Sequence, residues 1–192
     1  MSSPRILAFA GSARKGSFND QLVRVAASGA QTAGTDVTVI NLRDYPLPIM
    51  DEDLEREQGT PQNALNLKQL FLEHDGLLIS SPEYNSSLSP LLKNAIDWVS
   101  RPAPDEARLA AYRDKVSVVM AASPGGLGGM RGLVHLRAIL SNLGVLVLPE
   151  QIAVSNAASA FDDGGVLNDA KQQARIEGLG KSLADVLTKL RG

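Results

Sequence analysis

Apolar residues along this chain fall either in short unbroken runs or at helical spacing. Residues 5–11, RILAFAG, form a continuous apolar run closed by glycine. That is the pattern of a strand buried on both faces, as in a parallel sheet. From Phe18 to about Gly34, Leu22, Val25 and Ala26 recur with helical spacing. DVTVINL (36–42) is rich in β-branched residues and predicts a second strand, and residues 62–74 predict a helix. GLLISSP (76–82) predicts a third strand. Leu88, Leu91, Leu92, Ala95, Ile96 and Val99 then form the stripe of a helix packed on a sheet, starting near Ser89-Pro90. KVSVVMAAS (115–123) and VLVLP (145–149) predict the fourth and fifth strands, with helices over 131–143 and from Asn168 to Leu190. Residues 43–61, RDYPLPIMDEDLEREQGTP, predict a long loop rich in proline and acid.

Strands alternating with helices predict a doubly wound parallel sheet covered on both faces, in a single domain over residues 1–192. Such sheets bind ligands beyond the carboxyl ends of their strands. The ends of the first, third and fourth strands are also where this sequence becomes unusual.

Composition narrows the function. A net charge of −2 leaves no electrostatic footprint for nucleic acid or an anionic membrane. No apolar run reaches the ~18 residues of a membrane helix, and the N-terminus enters a strand without the regions of a signal peptide. Cysteine is absent, which excludes disulfides, thiol nucleophiles and Cys-ligated metals. The expectation is a soluble cytoplasmic domain with no metal, nucleic-acid or membrane partner.

The first strand runs into GSARKGSFN (11–19). A loop between a strand and a helix N-terminus presents free N–H groups and the positive end of the helix dipole. Gly11 and Gly16 let the backbone turn and approach a ligand, Ser12, Ser17 and Asn19 add short donors, and Arg14 adds a permanent charge. The set suits a terminal phosphate, although Ser17 and Asn19 could simply cap the helix. The loop has neither the Gly-Lys-Ser/Thr ending of a P-loop nor G-x-G-x-x-G. After the third strand comes SSPEYNSS (80–87), which mixes aromatic, amide and hydroxyl groups as a flat heteroaromatic ligand requires, or as an ordinary turn would. After the fourth comes SPGGLGG (123–129), where glycines would let backbone N–H groups face developing negative charge, unless it is a plain surface loop.

GSARKGSFN, PEYNSSLSPLLKNAIDW and SPGGLGG together resemble the NAD(P)H-dependent FMN reductase family, which includes quinone, azo-dye and chromate reductases. LPIMDEDLE and HLRAILSNLGVLVLPE carry the resemblance through the rest of the chain. It implies a flavodoxin-like α/β fold: three αβα layers around a five-stranded parallel sheet of order 2-1-3-4-5. It implies FMN phosphate at Ser12, Arg14, Ser17, Phe18 and Asn19, and the isoalloxazine ring beside Pro82, Glu83, Tyr84 and Asn85. Ser123, Gly125, Gly126 and Leu127 would lie near the ring's polar edge. NADPH or NADH would be the co-substrate, a quinone-like or other small molecule the electron acceptor, and the kinetics ping-pong. Because the chemistry resides on the flavin, no catalytic side chain is required. The rival reading is a flavodoxin-type electron carrier, for which a charge of −2 is weak.

Arg14, Lys15 and Arg101 are candidate contacts for a nicotinamide cofactor's 2′-phosphate. His74 and His135 read as structural or exposed, and Asp51, Glu52, Asp53, Glu55 and Glu57 as a solvated face. Trp98, with Asn94 and Arg101, stands opposite the apolar stripe of its helix. It would meet either a partner subunit or the RPAPDEARL segment. Together with the apolar residues of the 43–61 loop it suggests a homodimer or a dimer of dimers, as the resemblance also implies.

Overall fold

The computed structural model describes residues 3–103 and 105–192. Five strands, β1 (Arg5–Ala10), β2 (Asp36–Asn41), β3 (Gly76–Ser80), β6 (Val116–Ala122) and β7 (Leu146–Val154), form one parallel sheet. Its order is β2-β1-β3-β6-β7, with an antiparallel hairpin β4 (Glu83–Tyr84) and β5 (Ser87–Leu88) outside it. Counting sheet strands alone, this is the 2-1-3-4-5 order of a flavodoxin-like fold. Alternation along β1 divides the core. Ile6, Ala8 and Ala10 pack with α1 (Phe18–Thr32) and α7 (Ala170–Arg191). Leu7 and Phe9 pack with α3 (Gln62–Glu73), α4 (Pro90–Val99) and α5 (Met130–Asn142). The sheet is thus buried on both faces, which is why its central strands read as unbroken apolar runs.

The last strand is longer than its apolar run suggests. β7 continues through Pro149 to Val154, with a register irregularity opposite Ser117–Val119. Proline has no ladder N–H to donate, and here it sits in an edge strand beside that irregularity.

Residues 43–61 are not a plain loop. A 3₁₀ turn at Leu42–Asp44 leads to a helix, α2 (Glu52–Gln58), whose first turn is capped by Asp51: its Oδ1 accepts from the Asp53 N–H at 2.9 Å. The segment is fastened along the outer side of α4. Asn94 accepts from the Met50 N–H and donates to the Pro48 carbonyl, each at 2.8 Å. Arg101 pairs with Glu55 at 2.7 Å. Trp98 Nε1–H donates to the same Pro48 carbonyl at 2.8 Å, and Trp98 is fully buried. Trp98 is therefore buried within its own chain, with the 43–61 segment against it, and a partner subunit is not needed to explain it. Ile49 remains 84% exposed on that segment.

The histidines fall where expected. His74 is buried, with Nδ1 2.6 Å from the Leu70 carbonyl and Nε2 2.8 Å from Thr38 Oγ1. Burial lowers its pKa, so the neutral ring serves as a bridge between α3 and β2. His135 is exposed, and its Nδ1 meets Ser87 Oγ at 2.9 Å.

Candidate functional site

Connections after β1, β3 and β6 meet at one cleft of about 400 Å³. Of the residues expected there, Ser12, Arg14, Ser17, Phe18, Asn19, Pro82, Glu83, Tyr84 and Ser123 line it, joined by Ala122 and Pro124. Asn85 stands at the tip of the β4–β5 hairpin and Gly125, Gly126 and Leu127 lie on the adjoining loop, outside the lining.

The first connection behaves as a helix-end site. Ser17 is the N-cap residue of α1, but its side chain makes no capping bond. A hydroxyl at a helix N-terminus that lines the cleft, on a residue only 3% exposed and with no side-chain hydrogen bond among the described residues, fits an anion that would supply its acceptor. Arg14 is exposed; its guanidinium lies 5.0 Å from the centroid of the Phe18 ring, and Nη1 makes a long 3.4 Å contact with the Lys15 carbonyl. Its charge is thus free of any acidic partner among the described residues. Gly16 has φ +64°, a left-handed turn that needs glycine. Gly11 is required for a different reason than expected. A Cβ there would lie 2.9 Å from Leu92 Cβ, so the glycine admits α4 rather than a ligand. Ser89, the α4 N-cap, holds that approach by donating to the Gly11 carbonyl at 2.5 Å while accepting from the Leu92 N–H.

Asn19 reaches the cleft, but its amide is committed elsewhere. Its Nδ2–H donates to the Ala122 carbonyl at 2.8 Å, and its Oδ1 accepts from the Ala122 N–H at 2.9 Å and from Ser80 Oγ at 2.8 Å. It ties the ends of β3 and β6 to α1, leaving its backbone N–H as the group facing the loop.

After β3, Asn85 and Ser86 both have positive φ, 50° and 68°, as the two central residues of a tight hairpin turn require. The turn presents Tyr84, 53% exposed. Glu83 points away from solvent, into α5. Its Oε1 accepts from Arg131 Nε and Nη2 at 2.9 and 2.5 Å, and its Oε2 from the Gly132 N–H at 3.1 Å. Desolvation pushes this carboxyl up, but the bonds from Arg131 and Gly132 outweigh it and hold the pKa below the ordinary glutamate value. Glu83 therefore joins the hairpin to the first turn of a helix whose own N-cap, Gly129, carries no side chain.

The glycines after β6 divide by purpose. At Gly128 a Cβ would lie 2.8 Å from the Val154 backbone, and at Gly129 2.9 Å from Ala121 Cβ, so both serve the packing of the scaffold. Gly126 has nothing within 4 Å of where a Cβ would stand, and Gly125 has only Ser123 Oγ, at 3.7 Å. Neither has a positive φ. Packing demands glycine at neither place. Among the described residues the N–H groups of Gly126 and Leu127 have no acceptor. Open backbone donors beside an aromatic-lined cleft fit the polar edge of a flat heterocycle, as the helix end fits its phosphate.

Two features escaped the sequence. Phe161 stacks on Phe18, with ring centroids 6.1 Å apart and planes 9° from parallel. Arg101, a candidate cofactor contact, is paired with Glu55 and Glu52 beyond the far end of α4. The Phe161 pairing joins positions 143 residues apart and leaves no local signal, whereas Pro124 sits inside the glycine-rich stretch already singled out.

The sequence profile of a family described as NADPH-dependent FMN reductase matches residues 4–159. An NAD(P)H:quinone oxidoreductase of Solanum tuberosum is 33% identical over 191 residues, covering 98% of this chain and 95% of that protein. An NAD(P)H-dependent FMN reductase of Pseudomonas aeruginosa is 33% identical over 189 residues, covering 98% and 97%. Among solved structures, the flavoenzyme NAD(P)H:(acceptor) oxidoreductase FerB of Paracoccus denitrificans superposes with a TM-score of 0.80. It is 28% identical, and the match covers 97% of this chain and 98% of FerB.

Proposed function

This chain belongs to the NADPH-dependent FMN reductase family, and on that footing we propose that the strand-end cleft is its FMN site and the place where electrons pass from NAD(P)H to a quinone-like or other small acceptor. The observation that carries the reading is the convergence on one cleft of a helix end without a side-chain cap and an arginine with no acidic partner among the described residues, with open backbone donors on the loop beside it. FMN, when bound, supplies the redox chemistry, accepting two electrons with a proton as hydride from the nicotinamide and delivering them to the acceptor.

The residues do the rest. Ser12, Ser17 and the N–H groups of Phe18 and Asn19 bind the phosphate, and Arg14 offsets its charge. Pro82, Tyr84 and Asn85 support the ring, with Glu83 holding their hairpin against α5. Ser123, Gly125 and the open N–H groups of Gly126 and Leu127 surround the polar edge, where such donors favour added negative charge. With one side of the ring walled, donor and acceptor would use the other side in turn, which is ping-pong exchange.

We further propose a homodimer or a dimer of dimers. Its support is no longer Trp98 but the row of apolar side chains beside the cleft: Tyr84, Leu127, Met130 and Val134 are each 52–59% exposed. Exposed large apolar side chains on neighbouring segments, here the hairpin and the start of α5, mark association surfaces. A cysteine-free chain also fits work in the reducing cytoplasm.

The test is a two-step anaerobic spectrum. Purified protein loaded with FMN should show bound-flavin absorbance that bleaches on adding NADPH. After the nicotinamide is removed, a quinone alone should restore the colour. A flavin that stays oxidised with both NADPH and NADH would exclude the reductase reading, and colour that returns only while the nicotinamide is present would exclude ping-pong exchange.

A further inference from the structure

A strap crosses the N-terminal turn of α1, beginning within the last family-matched residues and continuing past them. It opens on a short helix, α6 (Ala157–Ala160), whose Ala157 is fully buried, and ends at Leu167, 3% exposed, so both ends are anchored in the core. Between them the backbone is closed by a short antiparallel bridge between Phe161 and Leu167. Asp162 organises the turn: its Oδ1 accepts from the N–H groups of Gly164 and Val166, each at 2.9 Å, and its backbone N–H donates to the Val166 carbonyl at 2.9 Å. Gly165, at φ +80°, lies against Gln21 of α1. The strap is therefore locally rigid and seated on the helix that opens the phosphate loop.

What it presents there is Phe161. The Phe161 ring covers one side of Phe18, and the Arg14 guanidinium lies over the Phe18 ring 5.0 Å from its centroid. Arg14 is an exposed residue on a loop, and among the described residues its guanidinium makes one hydrogen bond, a 3.4 Å contact. An exposed arginine loses rotamer freedom when it is recruited to a ligand. The stack removes part of that freedom beforehand: Phe161 fixes the Phe18 ring, and the ring's face attracts the cation.

We propose that Phe161 is a positioning residue for phosphate binding, acting through Phe18 to pre-orient Arg14. The proposal rests on the reading of residues 12–19 as the phosphate site. It requires no contact between Phe161 and the ligand. It also gives Phe161, which lies two residues beyond the family match, a part in cofactor selection.

The experiment compares FMN with riboflavin, which lacks the phosphate, by titrating flavin-free protein and following flavin fluorescence. Arg14→Ala should weaken FMN by roughly ten- to a hundred-fold and riboflavin far less. Phe161→Ala and Phe161→Leu should each weaken FMN by roughly two- to ten-fold with little change for riboflavin, while Phe161→Tyr retains wild-type affinity. In an Arg14→Ala background, Phe161→Ala should have no further effect on FMN, because its action runs through the arginine. Phe161→Leu keeps an apolar side chain on the strap, so it covers the case in which the alanine variant does not fold. Equal losses of FMN and riboflavin in Arg14→Ala would overturn the phosphate reading itself. If Arg14→Ala behaves as expected, two results overturn the role of Phe161 alone: losses common to both ligands in the Phe161 variants, or an effect that persists without Arg14.

Discussion

Asn19 offers a direct contest between two roles, phosphate ligand and scaffold clamp. Its amide makes three hydrogen bonds of 2.8–2.9 Å, all to groups at the ends of β3 and β6, and the residue is 3% exposed. Asn19→Ala removes all three at once. A typical bond is worth about 1 kcal/mol net, and the Ala122 N–H and carbonyl would remain buried without their partner. The expected loss is therefore about 3 kcal/mol of folding stability. For a chain of this size that lowers the melting temperature by roughly 6–12 °C. The assay is thermal unfolding of the flavin-free protein, where no phosphate can contribute, paired with dissociation constants for FMN and riboflavin. The clamp role predicts a large fall in melting temperature and similar losses for both flavins, as the cleft wall loosens. A melting temperature within about 2 °C of wild type, with the preference for FMN abolished, would refute the reasoning and return the amide to the phosphate.

Three further outcomes follow from the structure. Trp98→Ala should destabilise the single chain by about 3–5 kcal/mol through the cavity and the lost bond to Pro48, read by denaturant unfolding; unchanged stability with weakened association would restore the subunit-contact reading. Gly180→Ala, which in a free helix would gain up to ~1 kcal/mol, should cost about 2 kcal/mol or more. A Cβ there would stand 1.8 Å from the Ala26 carbonyl oxygen, where α1 and α7 touch backbone to backbone, so a stabilised variant in the same assay would contradict that contact. Glu83→Gln should be less stable than wild type at neutral pH, and the gap should close in acid. Because the folded pKa of Glu83 is depressed, its contribution is present above the ordinary glutamate value and is lost as pH falls through the folded one; a gap that does not vary with pH would disprove it.

Much of this protein was legible in one dimension because the relevant physics is local. A strand buried on both faces must be apolar throughout, so RILAFAG and GLLIS announced β1 and β3. A helix on a sheet needs one apolar stripe, so Leu88 to Val99 announced α4, and Ser89-Pro90 its start. The cleft was legible for a related reason: ligand loops follow strand ends in an alternating fold, and nine of the expected residues line it. Tertiary structure decided what side chains do once placed. Trp98 looked surplus because helical spacing reports one face of α4; Pro48, 50 positions earlier, covers the other. Asn19 and Ser17 are equally polar on paper, yet Asn19 is consumed by Ala122, 103 positions away, while Ser17 stays open at the helix end. The glycines after β6 look alike in sequence, and only the approach of Val154 and Ala121 separates those that serve packing from those left free. Periodicity records which way a side chain points relative to its own backbone. What it meets there is set by chain folding that brings distant segments together, and hydrogen-bond partners at such separations leave no periodic trace.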